Sequence, residues 1–250
     1  MSDTTAESLR PRHRKVAPAE HLTVFFGPRG DNGVVVGIGR SVLIVEDDKL
    51  TLGLLADALI PSNFIVGAAS TVTEAWQMFE RMAPDAVVLD VDLGAGVNGF
   101  DLADAFRAQD PLVAVLFLSN LPDARFAGRN PESLPRNVGY VRKGQVADTK
   151  EFVTALDAVL RGSRGAIPRH DRDPERPLGG LSRTQIEVLR MVALGMTNEQ
   201  IAAERGTSAK AVYNVISRAM LQISGENLDE GNARVVAARE FIRAAGLPSP

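Results

Sequence analysis

From Ser41 to Gly162, short and nearly unbroken apolar runs alternate with longer segments whose apolar residues recur at helical spacing. The runs are SVLIVE, FIVGAAS, DAVVLDV, LVAVLFLS and VGYVRK, and the helical segments are LTLGLLADALI, TEAWQMFERM, GFDLADAFRAQ and FVTALDAVLRG. Strands that alternate with helices need right-handed crossovers and build a parallel sheet covered on both faces, which is why the strands read as continuous apolar runs. The pattern predicts an α/β fold, a (βα)5 doubly wound parallel sheet. Thr71, with Glu74 three residues on, marks a helix start, and Pro84 marks its end. Between the fourth and fifth strands the rhythm breaks. LPDARFAGRNPESLPRN carries Pro122, Pro131 and Pro135, so a short helix and an irregular loop are expected there instead of a full crossover helix.

The rest of the chain has a different texture. Residues 1–40 form an N-terminal extension expected to be largely disordered at its polar start, with two short apolar pieces around a Gly/Pro/Asp/Asn turn patterned as a hairpin. The GIG in this stretch lacks the third glycine of a dinucleotide fingerprint. Residues 162–177 are rich in Gly, Pro and charge and offer almost nothing to bury, which predicts a flexible linker. Beyond them LSRTQIEVLRMVALG, NEQIAAERG, SAKAVYNVISRAMLQI and GNARVVAAREFIRAAG all have helical period. They predict a second, smaller all-α domain over 178–246, with a tight joint at GTSA that suits a helix-turn-helix. The boundaries read from sequence are therefore 1–40, 41–161, 162–177 and 178–246.

Charge sharpens this division. Residues 41–160 carry nine Lys and Arg against seventeen Asp and Glu, whereas residues 181–250 carry eight against seven. The α/β domain is acidic. The helical domain is near neutral, so nucleic-acid binding has to be argued from fold and motif, not from bulk electrostatics. The absence of cysteine removes disulfides, thiolate metal sites and cysteine nucleophiles together. His13, His21 and His170 fall in tail or linker without paired ligand spacing. No apolar run approaches the ~18–20 residues of a membrane span, and the charged start is not followed by an apolar stretch; a cytoplasmic protein with no membrane partner is expected.

In an open parallel sheet the ligand site lies at the carboxyl ends of the strands, near the point where strand order reverses. Glu46, Asp47 and Asp48 stand at the end of the first strand, Asp90 and Asp92 at the end of the third, Ser119 at the end of the fourth and Lys143 at the end of the fifth. Carboxylates gathered at one edge repel unless a lysine, a divalent cation or both offset them, and a hard ion such as Mg²⁺ takes few protein ligands and keeps open positions. Open positions suit phosphoryl transfer, for which Asp90 is the natural nucleophile.

In order and approximate spacing, VLIVEDD, VVLDVDL, the LS pair and GYVRK resemble the receiver domain of two-component response regulators. The resemblance implies that Asp90 is the phospho-acceptor, that Mg²⁺ is bound by Asp47 with Glu46 assisting, by Asp90 and by the backbone carbonyl of Asp92, that Ser119 and Lys143 contact the phosphoryl group, and that Tyr140 is a rotating switch aromatic which follows Ser119 inward. Asp48 is placed to cap the following helix. Two departures stand out: VDLGAGVNGF lacks the usual proline, and the three prolines fall where the fourth helix, part of the family's signalling face, would run.

LSRTQIEVLRMVALGMTNEQIA is similar to the opening of LuxR/FixJ-type helix-turn-helix effector domains. Its recognition helix would be SAKAVYNVISRAMLQI, with Val212, Ile216, Ala219, Met220 and Ile223 buried and Lys210, Tyr213, Asn214, Ser217 and Arg218 facing the DNA major groove. Together the resemblances imply a phosphorylation-dependent DNA-binding transcriptional regulator, not an enzyme. Its partners would be a sensor histidine kinase or small phosphodonor and double-stranded promoter DNA, and it would act as a homodimer. Val236, Phe241 and Ile242 of the last helix are a candidate dimer surface. Two other readings share these residues: a signalling adaptor whose helical domain binds protein, and a phosphatase using Asp90 and Asp92 as an Asp-x-Asp pair.

Overall fold

The computed structural model describes residues 39–94, 98–135, 137–163, 165–225 and 229–248. Of the N-terminal extension only Gly39 and Arg40 are among them, so the hairpin and GIG readings lie outside the described residues. From Ser41 the chain runs β1 (Ser41–Val45), α1 (Lys49–Leu59), β2 (Ile65–Ala69), α2 (Val72–Met82), β3 (Ala86–Leu89), α3 (Gly99–Gln109), β4 (Ala114–Ser119), β5 (Val138–Arg142) and α4 (Thr149–Leu160). The strands form one parallel sheet in the order β2-β1-β3-β4-β5. The strand interiors are apolar because each face is covered. Leu43 and Val45 of β1 join Phe79, Phe100, Phe106 and Phe117 in one core, while Val42 and Ile44 join Leu52, Phe152 and Leu156 in the other. Strand order reverses between β1 and β3, which places the ends of these two strands side by side at the crevice.

The expected (βα)5 unit is complete in its strands and one α-helix short. Between β4 and β5 stand two single 3-10 turns, Ala124–Ala127 and Pro131–Ser133. The physical reason is the one the prolines announced: Pro131 and Pro135 withhold backbone donors and clash with preceding carbonyls, so no helix propagates through them. Asp123 and Asn130 instead cap the two turns with their side chains. Arg129 ties this segment to α3 through Asp101 and Asp104, each at 2.7 Å, and lies over the Phe100 ring.

The flexible linker is a correction. Residues 165–172 run along the outer edge of β5: the Tyr140 N–H donates to the Pro168 carbonyl at 2.9 Å, and the Arg142 N–H donates to His170 Nδ1 at 3.2 Å. Asp171 is buried and paired with Arg169. Composition hid this order because the strap is held by backbone groups and ion pairs, with few apolar side chains.

The C-terminal part is helical, with α5 (Arg183–Ala193), α6 (Asn198–Glu204), α7 (Ala209–Ser224) and α8 (Glu230–Ala245). Ser182 with Gln185 and Thr197 with Gln200 form reciprocal capping boxes at the starts of α5 and α6. Gly206, at φ 61°, makes the left-handed turn that joins α6 to α7. Val212, Ile216, Ala219 and Met220 are buried and Ile223 packs against them, as their spacing predicts. Phe241 is not a dimer surface. Its side chain is buried, with its ring centroid 5.5 Å from that of Phe126 in the β4–β5 segment. Val236 and Ile242 are half-buried. Among the described residues no helix is long and apolar enough to cross a membrane.

Candidate functional site

The carboxyl edge of the sheet holds a cavity of about 520 Å³ lined by Glu46, Asp47, Asp90, Asp92, Ser119 and Lys143, among others. Every residue expected there from sequence is present. Lys143 Nζ donates to Glu46 Oε1 at 2.8 Å, to Glu46 Oε2 at 2.6 Å and to Asp90 Oδ2 at 2.6 Å. Glu46 and Asp90 are buried, while Asp47 is exposed. Burial pushes the Glu46 carboxyl up to about 7, a rise that the hydrogen bond from Lys143 opposes and the Asp90 charge reinforces. Burial pulls on Lys143 the other way, yet the Asp90 charge and the hydrogen bonds to Asp90 and Glu46 hold its ammonium above the ordinary lysine range. The lysine therefore stays charged and offsets two crowded carboxylates.

Asp90 is held from behind as well. The Asp92 N–H donates to Asp90 Oδ1 at 3.1 Å, and Gly99 at the start of α3 lies so close that a Cβ there would come within 1.9 Å of the Asp90 carbonyl oxygen. Any side chain at 99 would displace the loop that carries Asp90. Asp48 caps α1 by accepting from the Thr51 N–H at 2.7 Å, and these hydrogen bonds hold its carboxyl below the usual range. One carboxylate oxygen each from Glu46, Asp47 and Asp90 lies within 4.8 Å of the others. Three hard oxygen donors at this spacing suit a hard divalent cation.

Ser119 Oγ accepts from the Leu121 N–H at 3.3 Å. Tyr140 is fully buried against Phe100 and Phe117, and its hydroxyl donates to the Leu121 carbonyl at 2.9 Å. Burial keeps that phenol well above its ordinary range. The aromatic expected to turn inward is already inward.

On α7, Lys210, Asn214 and Arg218 are exposed and Tyr213 is half-buried. Ser217 departs from the expected outward set, since its Oγ is buried without a hydrogen-bond partner.

Two family models match the chain. One, for the response regulator receiver domain, covers residues 42–130, and the other, for bacterial regulatory proteins of the luxR family, covers residues 180–230. The chain is a response regulator. Its relatives include the DNA-binding transcriptional activator DevR/DosR of Mycobacterium tuberculosis, 29% identical over 74% of this chain and 88% of that protein. Another is the DNA-binding transcriptional activator EvgA of Escherichia coli K12, 26% identical over 75% of this chain and 93% of that one. RcsB from Salmonella enterica serovar Typhimurium, solved bound to promoter rprA, shares the fold at a TM-score of 0.52 and 20% identity over 81% of this chain and 98% of that one. The assignment as a transcriptional regulator sets aside the Asp-x-Asp phosphatase reading of Asp90 and Asp92.

Three features of the regulator were missed from sequence. Arg125 and Asp123, in the segment that replaces the fourth helix, are buried together with Phe126. Ala245, Gly246 and Leu247 at the end of α8 line the same cavity as Asp90. Leu121 links Ser119 and Tyr140 through its backbone, and a backbone role leaves no mark on residue type.

Proposed function

We propose that this response regulator accepts a phosphoryl group on Asp90 and converts it into altered DNA binding by the LuxR-type domain, with 41–161 as receiver, 162–177 as connector and 178–246 as effector. The observation that carries the reading is the Lys143 ammonium bridging Glu46 and Asp90 at an open cavity beside Asp47. Asp90 Oδ attacks phosphorus in line; the bond from phosphorus to the donor, a phosphohistidine nitrogen or an acyl oxygen, breaks, and the leaving group keeps its electron pair. Phosphorylation adds a charge of about −1.5 to −2, to which Lys143 turns one of its donors while Ser119 Oγ donates another. Glu46, Asp47, Asp90 and the Asp92 carbonyl would hold Mg²⁺, which supplies charge neutralisation at the phosphoryl oxygens. A sensor histidine kinase or a small acyl phosphate is the donor, and the protein works in the cytoplasm.

The exposed face of α7 formed by Lys210, Asn214 and Arg218, with Tyr213, is the DNA-reading surface: Asn214 suits adenine, and Lys210 suits guanine or phosphate. DNA binding by relatives named as transcriptional activators supports this assignment, and a homodimer presents two such helices to half-sites about one helical turn apart. Intact mass with acetyl phosphate and Mg²⁺ tests the reading. Wild type gains ~80 Da and Asp90→Asn does not; no adduct on wild type, or the same adduct on Asp90→Asn, overturns it. Failure of the phosphorylated dimer to shift promoter DNA at low salt would assign the helical domain to a protein partner instead.

A further inference from the structure

The end of β5 is fixed from outside by a histidine. Along this strand the N–H groups of Tyr140 and Arg142 point outward, and the strap takes both, Pro168 with its carbonyl and His170 with Nδ1. The second bond is the one that bears on chemistry. Arg142 stands between the two groups expected at the phosphoryl oxygens: Ser119 lies opposite it in the β4–β5 ladder, and Lys143 follows it in the chain. After Arg142 the backbone leaves the sheet for a single 3-10 turn, Lys143–Gln145, whose start has no side-chain cap. The bond to His170 therefore holds the last outward donor before the turn that carries the lysine.

His170 can hold it only while neutral. A ring nitrogen that accepts carries no proton, so the neutral ring keeps its one proton on Nε2. A proton added at Nδ1 turns the acceptor into a donor that faces the Arg142 N–H across 3.2 Å, and attraction becomes repulsion. The charged groups around the ring are Arg142 on β5, Arg169, Asp171 and Arg172 on the strap itself, and Asp148, Lys150 and Glu151 of α4, which share a cleft with Pro168. Each of these acids is already engaged. Asp171 takes two bonds of 2.7 Å from Arg169, Asp148 accepts from the Glu151 N–H, and Glu151 accepts from the Ala147 N–H.

We propose that neutral His170 is a positioning residue for Lys143, acting through the Arg142 backbone, so that mild acid loosens the strand end and slows phosphoryl uptake at Asp90. The effect on uptake rests on the phosphoryl-acceptor reading above; the hold on Arg142 does not. Lys143 Nζ reaches Glu46 and Asp90 through bonds of 2.6 to 2.8 Å, a geometry that tolerates little drift of the main chain beneath it. A histidine in free solution is about ten parts protonated to one neutral at pH 5.5. The closed strand end should therefore lose about tenfold in its opening equilibrium between pH 7.5 and pH 5.5.

Two measurements on the full-length protein at these two pH values test this: amide exchange at Arg142 by NMR, and the rate of mass gain with acetyl phosphate and Mg²⁺. In wild type the Arg142 protection factor falls about tenfold on acidification. In His170→Asn, whose Oδ1 stands in for Nδ1 and does not titrate, the amide stays protected at both values; in His170→Ala it is exposed at both. Phosphoryl uptake at pH 7.5 is several-fold slower in His170→Ala and is restored in His170→Asn, and acid slows wild type several-fold more than His170→Asn. Any titration at Glu46 is common to the three proteins, so the difference between them belongs to His170. Equal protection of wild type at the two pH values, or the same loss in His170→Asn, overturns the proposal. Equal uptake by all three proteins while the amide responds overturns the positioning role. If the amide responds but wild type takes up no phosphoryl group at either pH, the phosphoryl-acceptor reading falls and His170 is left as a fastener of the strand end alone.

Discussion

The Tyr140 hydroxyl and the Leu121 carbonyl are joined by a 2.9 Å hydrogen bond, at the bottom of a ring packed between Phe100 and Phe117. The phenol has burial imposed on it and finds its one partner in the backbone of the segment that reaches the effector domain. Tyr140→Phe keeps the packing and removes the bond. It is expected to lower stability by about 1 kcal/mol, seen as a lower urea midpoint at unchanged slope; a midpoint equal to wild type would mean that the bond contributes nothing net.

Lys143→Met leaves Glu46 and Asp90 facing each other without their shared cation. A loss of about 3 kcal/mol is expected from breaking so buried a cluster. Mg²⁺ should recover part of it, and raise the melting temperature more in the variant than in wild type, where the ammonium competes for the same oxygens. Thermal scans with and without Mg²⁺ check this, and equal shifts in the two proteins would contradict it.

Acid should undo the buried ion cluster in which Asp123 pairs with Arg125 and Arg176. Burial alone would raise the Asp123 carboxyl, but hydrogen bonds from Arg125 and Arg176 hold it below its ordinary 3.8. A depressed carboxylate contributes stability that is present above pH 3.8 and lost as pH falls from there through the lower folded value. The groups facing it are Arg125 and Arg176, with the Tyr140 phenol, which stays neutral, close enough to feel its charge. The urea midpoint should therefore fall as pH drops below 3.8, while Asp123→Asn should lose this part of the pH dependence. A step of equal size in Asp123→Asn would place its origin in other carboxylates.

On α7, Lys210→Ala should weaken binding to all DNA sequences and reduce the salt slope by about one. Asn214→Ala should cost about 1–3 kcal/mol on the preferred site and little on random DNA. Fluorescence anisotropy across a salt series separates the two, and an unchanged affinity for both variants would move the reading surface elsewhere.

The strands, their order of appearance and the carboxylate edge were legible because they rest on local signals: continuous apolar runs in β1 and β3, acids at their ends, and a lysine after β5. The helix start at Thr71 was legible in part for the same reason, although Glu74 in fact reaches Ser70, not Thr71. Prolines warned that the fourth helix would give way to a short helix and a loop but said nothing of what that segment touches. Arg125 looked like any surface arginine; its burial depends on three carbonyls more than fifty residues away, and no periodicity registers a contact of that kind. Phe241 was assigned to the wrong neighbour for a related reason: helical spacing identifies an apolar side chain but not what covers it.

The strap at Pro168 and Arg169 occupies backbone positions along β5 that would otherwise end the sheet as an open edge. A free margin invites a neighbour to zip on; the β5 margin is hemmed by its own chain. A second copy that sought to extend the sheet there would first have to peel the hem away.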